Sequence, residues 1–113
     1  MTILVGRRGA DPGELRDEIA RIKALGTDFQ DILDGRMPSE ERLALSPLID
    51  WFYVSVIPRW CLVGNVYGHP FLVTRTRDIV TSDLEAYAPE LGWARTRSRF
   101  YRLGRPKGAS SQS

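Results

Sequence analysis

Between residues 93 and 104 the chain reads WARTRSRFYRLG, with arginine at alternate positions 95, 97 and 99 between two aromatic residues. In a strand, alternate residues share a face. On that reading Trp93, Arg95, Arg97, Arg99, Tyr101 and Leu103 fall on one side, and Ala94, Thr96, Ser98, Phe100 and Arg102 on the other. Guanidinium forks match phosphate geometry, and aromatic rings stack on bases. The row therefore suits RNA or single-stranded DNA, with Arg95, Arg97 and Arg99 neutralising phosphates and Trp93 and Tyr101 offering stacking surfaces. Arg75, Arg77 and Arg102 are candidates to extend it.

Two other readings stay open. A small antiparallel sheet has one wet face, and arginine stems cover apolar surface while their heads stay hydrated. The row is then solvated, or paired internally with Asp28, Asp31, Asp34, Glu40 or Glu41 from the first half. A protein interface is the third possibility.

Other chemistry-bearing residues are few. His69, the lone histidine, sits in Gly68-His69-Pro70, a turn-like tripeptide. With one histidine and one cysteine there is no zinc set of the usual kind. Phosphate-loop, dinucleotide-fold and hydrolase-elbow motifs do not occur. Cys61, between Trp60 and Leu62, reads as a packed small hydrophobe. Adjacent carboxylates such as Asp17-Glu18 and Glu40-Glu41 stand at helix starts, where capping and solvation account for them. The expectation is a protein with no enzymatic activity, no cofactor and no metal.

The elements that must position these residues follow from composition and pattern. A chain of 113 residues is one domain by length, and it buries roughly two thirds of its unfolded surface. Its 42% apolar and 27% charged residues are those of a globular protein. A single cysteine excludes an internal disulfide framework and fits a reducing compartment. The apolar run in MTILVGRRGAD is too short for a signal-peptide core. No apolar stretch approaches the ~20 residues needed to span a bilayer. A cytoplasmic protein that does not engage a membrane is expected.

Charge divides the chain. Residues 1–50 carry 7 Lys+Arg against 10 Asp+Glu, a net −3, and residues 51–113 carry 9 against 4, a net +5. DPGELRDEIARIKALG predicts an amphipathic helix with Asp11 as cap, Pro12 in its first turn and Gly26 as its stop. TDFQDILDGR predicts a second short helix ended by Gly35, and Ser39 caps a third start. A helical turn near residues 47–53 gives way to an extended lead-in stopped by Pro58. From Trp60 the pattern changes to strands: one in WCLVGNVYG with Gly64 as a bulge site, one around residues 79–81 after a loop at Arg75–Arg77, and a last one over GWARTRSRFYRL. Residues 82–91 read as a connector.

The fold class is thus α+β, N-terminal helices packed on a small three-stranded antiparallel sheet. Its single domain spans residues 1–103, with a helical part at about 11–53 and a sheet part at about 60–103, followed by a flexible tail at 104–113.

Residues 60–106 also resemble a family of small proteins from alphaproteobacteria and their mobile elements, whose pattern runs L-x-G-x-V-x-G-H-P, I-x-T-S, R-T-x-S-x-x-Y-x-L-G. The matching positions are Leu62, Gly64, Val66, Gly68, His69 and Pro70, then Ile79, Thr81 and Ser82, then Arg95, Thr96, Ser98, Tyr101, Leu103 and Gly104. Where that pattern has a glycine turn before I-x-T-S, this chain has Thr74-Arg75-Thr76-Arg77. The resemblance implies no activity. It implies that Gly68, His69, Pro70, Thr81, Ser82 and the last strand form one structural unit, with His69, Thr81 and Ser82 fixing loops by hydrogen bonds.

Two functions from different classes follow. One is a small non-catalytic protein that binds nucleic acid, or another anion, through the arginine and aromatic face. The alternative is a protein-interaction or regulatory accessory module of a mobile element or its host, using the first helix or the apolar stretch at residues 51–57. Exposure of Trp51, Phe52 and Tyr53 would favour the second.

Overall fold

The computed structural model describes residues 1–71 and 75–108, with residues 75–77 described as backbone. Residues 109–113 of the expected tail lie outside the described residues, as do residues 72–74. The chain divides into two compact units, Pro12–Ile57 and Met1–Asp11 with Pro58–Ser113. The first eleven residues thus belong with the sheet part.

The helical unit holds α1 (Pro12–Leu33) and α2 (Glu40–Leu45). The two helices expected around Gly26 are one. Glycine inside a helix costs about 1 kcal/mol relative to alanine, too little by itself to end a helix whose apolar spacing continues through Phe29, Ile32 and Leu33. The real stop is Gly35, whose φ of 80° no β-carbon favours. There Gly35 N–H donates to the Ile32 carbonyl at 3.0 Å and Arg36 N–H to the Asp31 carbonyl at 2.7 Å, a Schellman closure. Ser39 caps α2, its hydroxyl accepting from the Arg42 amide at 3.1 Å. Arg42 of α2 reaches back to Asp28 of α1 at 3.0 Å. Neither helix contains a buried residue.

Residues 47–53 form no helical turn; the chain from 47 to 62 runs without regular structure. Trp51 adopts φ 53° and is 94% exposed. Phe52, Tyr53, Val54, Val56 and Ile57 beside it are exposed as well.

The sheet unit departs from three antiparallel strands. It contains a four-stranded sheet in the order β1-β4-β5-β6, from β1 (Ile3–Leu4), β4 (Leu84–Ala88), β5 (Trp93–Thr96) and β6 (Phe100–Arg102). A separate antiparallel ribbon pairs β2 (Val63–Tyr67) with β3 (Arg75–Val80). β1 lies parallel to β4, matching Ile3 with Ala86 and Leu4 with Tyr87, while the other pairs are antiparallel.

Arg75–Arg77, expected in a loop, open β3. The expected connector holds β4, one of the two inner strands, closed by a 3-10 turn, Pro89–Leu91, with Gly92 at φ 79°. The ribbon's register slips beyond Gly64, where Asp78 takes φ 54° and its amide bonds to the Asn65 side chain at 3.2 Å. Buried side chains gather on the four-stranded sheet, at Ile3, Leu84, Ala88, Ala94 and Thr96.

Candidate functional site

The expected last strand is a hairpin. β5 ends at Thr96, residues 97–99 turn, and β6 begins at Phe100. Arg97-Ser98-Arg99 has no apolar side chain to hold it on a sheet. Thr96, 1% exposed, gathers the turn: its amide donates to the Arg99 carbonyl at 2.9 Å, and its hydroxyl donates to the same carbonyl at 3.2 Å. That hydroxyl oxygen also accepts from the Ser98 and Arg99 amides at 3.3 and 3.4 Å. The Arg97 amide is held by the Asp83 carbonyl at 2.8 Å.

A hairpin re-sorts the faces. Trp93 pairs with Arg102, Arg95 with Phe100, and Ala94 with Tyr101. Directly opposed residues lie on the same face. One face therefore carries Trp93, Arg95, Phe100 and Arg102, and the other carries Ala94 and Tyr101. Of the five expected contact residues, Trp93 and Arg95 stay together, Arg97 and Arg99 occupy the turn, and Tyr101 lies behind. Phe100 and Arg102, placed by simple alternation on the far side, belong to the front. The signal for this is Thr-x-Ser-x between Trp93 and Phe100-Tyr101, a stretch with turn-forming side chains and no apolar anchor.

On the front face the Trp93 and Phe100 rings meet edge-on at 5.6 Å, and the Arg95 guanidinium lies 5.2 Å from the Phe100 centroid. Phe100 remains 65% exposed. Behind, Tyr101 neighbours the His69 ring at 6.4 Å, His69 neighbours Phe71 at 6.0 Å, and Arg99 lies 5.4 Å over the Phe71 ring. Phe71 is 81% exposed. Arg99 Nε is buried with no hydrogen-bond partner among the described residues. Each face thus has an arginine laid on an aromatic ring, the geometry of a cation–π contact.

Gly68 turns the chain at φ 75°, and His69 Nδ1 accepts the Phe71 amide at 3.0 Å. Pro70 is exposed within this turn. The Thr81 hydroxyl accepts from the Leu62 amide at 2.8 Å and donates to the Ser82 carbonyl at 2.9 Å. Ser82 and Ser98 share a hydroxyl–hydroxyl bond of 2.9 Å, tying this corner to the hairpin tip. His69 makes its bond within its own turn and meets the hairpin through its ring.

Four acidic residues of the first half pair within the helical unit. Glu18 meets Arg21 at 2.7 Å, Asp31 and Asp34 meet Arg36 at 2.8 and 3.3 Å, and Asp28 meets Arg42. Arg21's hydrogen bond holds the Glu18 carboxyl below its ordinary pKa, and the same bond raises Arg21. Among the described residues of the sheet unit no carboxylate lies within 4.0 Å of Arg95, Arg97, Arg99 or Arg102. Residues 93–108 contain Arg95, Arg97, Arg99, Arg102, Arg105 and Lys107 and no acid. Side chains of Arg75 and Arg77 lie outside the described atoms.

An open cleft of about 190 Å³ runs beside Thr2, Arg59, Trp60, Asp83 and Glu85. Its Arg59–Asp83 pair stands at 3.7 Å. Among the described residues no group of three or more His, Cys, Asp or Glu could hold a metal ion, and no helix is long and apolar enough to cross a membrane.

The model of a family of unknown function, DUF6634, matches residues 31–112, and the chain belongs to that family. The 60–106 pattern lies inside the matched stretch. Neither the curated proteins nor the solved structures contain a match.

Proposed function

As a member of DUF6634, the chain is one that we propose to be a non-catalytic binding protein that takes a single-stranded nucleic acid on the front of the β5–β6 hairpin. The observation that carries this reading is an acid-free run whose arginines have no carboxylate partner among the described residues of their own unit, beside an exposed phenyl ring. Unpaired guanidinium groups are available to phosphates, and Phe100 with the edge of Trp93 presents a stacking surface. Arg95, Arg97 and Arg102 replace the original row as the phosphate contacts, and Tyr101 gives way to Phe100 as the stacking partner.

Fluorescence titration against short single-stranded oligonucleotides tests it. Three phosphate contacts give a log–log salt slope of roughly −2 for a single strand. Reversing Arg95, Arg97 and Arg102 to glutamate abolishes binding while the circular dichroism stays that of the parent. Binding unchanged by the reversal, or absent at low salt in the parent, sinks the proposal.

A second reading, a protein-interaction or regulatory accessory module of a mobile element or its host, is supported by the exposed residues 51–57. Trp51 separates the two. In a chain with Trp60 and Trp93 replaced by phenylalanine, nucleic acid bound at the hairpin leaves acrylamide quenching of Trp51 unchanged. A protein seated on 51–57 protects it.

A further inference from the structure

The segment Val5-Gly6-Arg7-Arg8-Gly9 follows β1, and two glycines bracket its two arginines. Gly6 and Gly9 exchange both backbone bonds, amide to carbonyl, at 3.1 and 2.9 Å. Gly9 closes the turn at φ 92°, in the region that a β-carbon disfavours. The backbone alone thus holds a tight hairpin with Arg7 and Arg8 at its tip. Both arginines are exposed. Among the described residues of the sheet unit no carboxylate lies within 4.0 Å of either. Turns draw on glycine, asparagine, aspartate and proline, so the turn itself does not call for two adjacent cations.

The topology decides where this tip stands. β1 runs parallel to β4, so the chain leaves β1 at the end where β4 finishes. The Val5 amide bonds to the Tyr87 carbonyl at 2.8 Å, and the Glu90 carboxylate comes to 3.9 Å from the β-carbon position at Gly6. Ala88, the last residue of β4, pairs with Trp93, and Trp93 pairs with Arg102. The Arg7-Arg8 tip and Arg102 therefore stand at the same end of one sheet, on its two outer edges. Three strand spacings of ~4.8 Å put those edges ~14 Å apart. Past Arg102 the chain adds Arg105 and Lys107. Glu90 is the one acid between residues 88 and 108, and it makes no ion pair with the tip. Phosphates therefore fall at the two edges, with Glu90 in the gap.

We infer that the Arg7-Arg8 tip is a second phosphate contact, extending the single-stranded nucleic-acid site from the β5–β6 hairpin across the Trp93 end of the sheet to the β1 edge. This rests on the nucleic-acid reading of the hairpin and gives that site its extent. Stacked nucleotides advance about 3.4 Å each and strand residues about as much. About four nucleotides therefore cover β5, and only a longer strand reaches the tip.

The test measures the salt dependence of binding by the full chain to single-stranded oligonucleotides of about four and about twelve nucleotides, at about −0.7 of log–log slope per phosphate contact. The shorter strand, held by the hairpin alone, gives about −2. The longer one gains two contacts and gives about −3.5. Arg7→Gln with Arg8→Gln returns the longer strand to about −2 and leaves the shorter one as it was. Circular dichroism and the thermal midpoint stay those of the parent, because backbone bonds hold the turn. Arg16→Gln with Lys23→Gln removes the same charge from α1 and leaves both slopes unchanged.

Equal slopes for the two lengths in the parent overturn the inference and leave the hairpin reading standing. So does a steep slope that survives the loss of Arg7 and Arg8. A control pair that flattens the slope as much as the tip pair also overturns it, since net charge rather than position then governs. No salt-sensitive binding at either length removes the hairpin reading and this inference together.

Discussion

At the scale of single residues, Thr96 has the most to lose. Its hydroxyl is buried and shared among three groups of the 97–99 turn. Thr96→Val keeps the shape and removes the acceptor, so the Ser98 and Arg99 amides lose a partner. The expected destabilisation is about 1–2 kcal/mol by urea denaturation, and Thr96→Ser recovers most of it. Glu18 supplies a pH test. Its carboxyl is held below the ordinary value of 4.5 by the Arg21 hydrogen bond. A depressed folded-state pKa gives a contribution that is complete above the unfolded value and is lost as pH falls through the folded one. Stability therefore declines on acidification below about pH 4.5, with a shallower decline in Glu18→Gln. A variant that tracks the parent at every pH assigns the acid sensitivity elsewhere.

At the scale of elements, two further tests concern ends and edges. Gly35→Ala forces a β-carbon into the left-handed region at the Schellman closure and costs about 1–2 kcal/mol, readable as a lower midpoint of thermal unfolding. Residues 51–57 combine aromatic and β-branched side chains with no charge, the composition of an aggregation-prone strand. Val54→Lys places a charge in an exposed position, so heat-induced light scattering falls while the unfolding midpoint stays put. These elements also mark how far sequence reasoning reaches. α1 was legible through Pro12, Glu14 and its apolar spacing, and Ser39 announced α2. Gly26 misled because a local cost of about 1 kcal/mol does not by itself end a helix, and the apolar spacing resumes at Phe29. β1 is two residues long and pairs in parallel with a strand more than eighty residues away, so no local pattern encodes it. β4 hid because three of the five residues in Leu84-Glu85-Ala86-Tyr87-Ala88 are alanine or glutamate, types depleted in strands, and the next residue is a proline. At the candidate site, the residue types were legible and the face was not. Alternation assumes an unbroken strand, and Thr96 breaks it.

At the scale of the whole molecule, charge is partitioned by unit. Residues 12–57 hold 5 Lys+Arg and 9 Asp+Glu, a net −4, and the remainder holds 11 and 5, a net +6. A total of +2 conceals this. The chain should bind a cation exchanger at neutral pH more strongly than +2 implies, and the Arg95, Arg97 and Arg102 reversal should flow through. Equal retention of the two would mean that these arginines do not dominate the basic surface.

The pairing of β1 with β4 bears on the order in which the molecule can be completed. Thr2 Oγ1 donates to the Leu84 carbonyl at 2.6 Å across 82 residues of chain. During synthesis, Ile3 emerges long before its partner Ala86 exists, and the whole helical unit is made in the interval. Closing so long a loop is slow compared with local helix formation. Until then Ile3 and the edge of β4 stand open to other nascent chains. A mutation that delays this last closure, such as Ile3→Ala, would reveal itself first in yield and chaperone dependence, and only later in any equilibrium measurement.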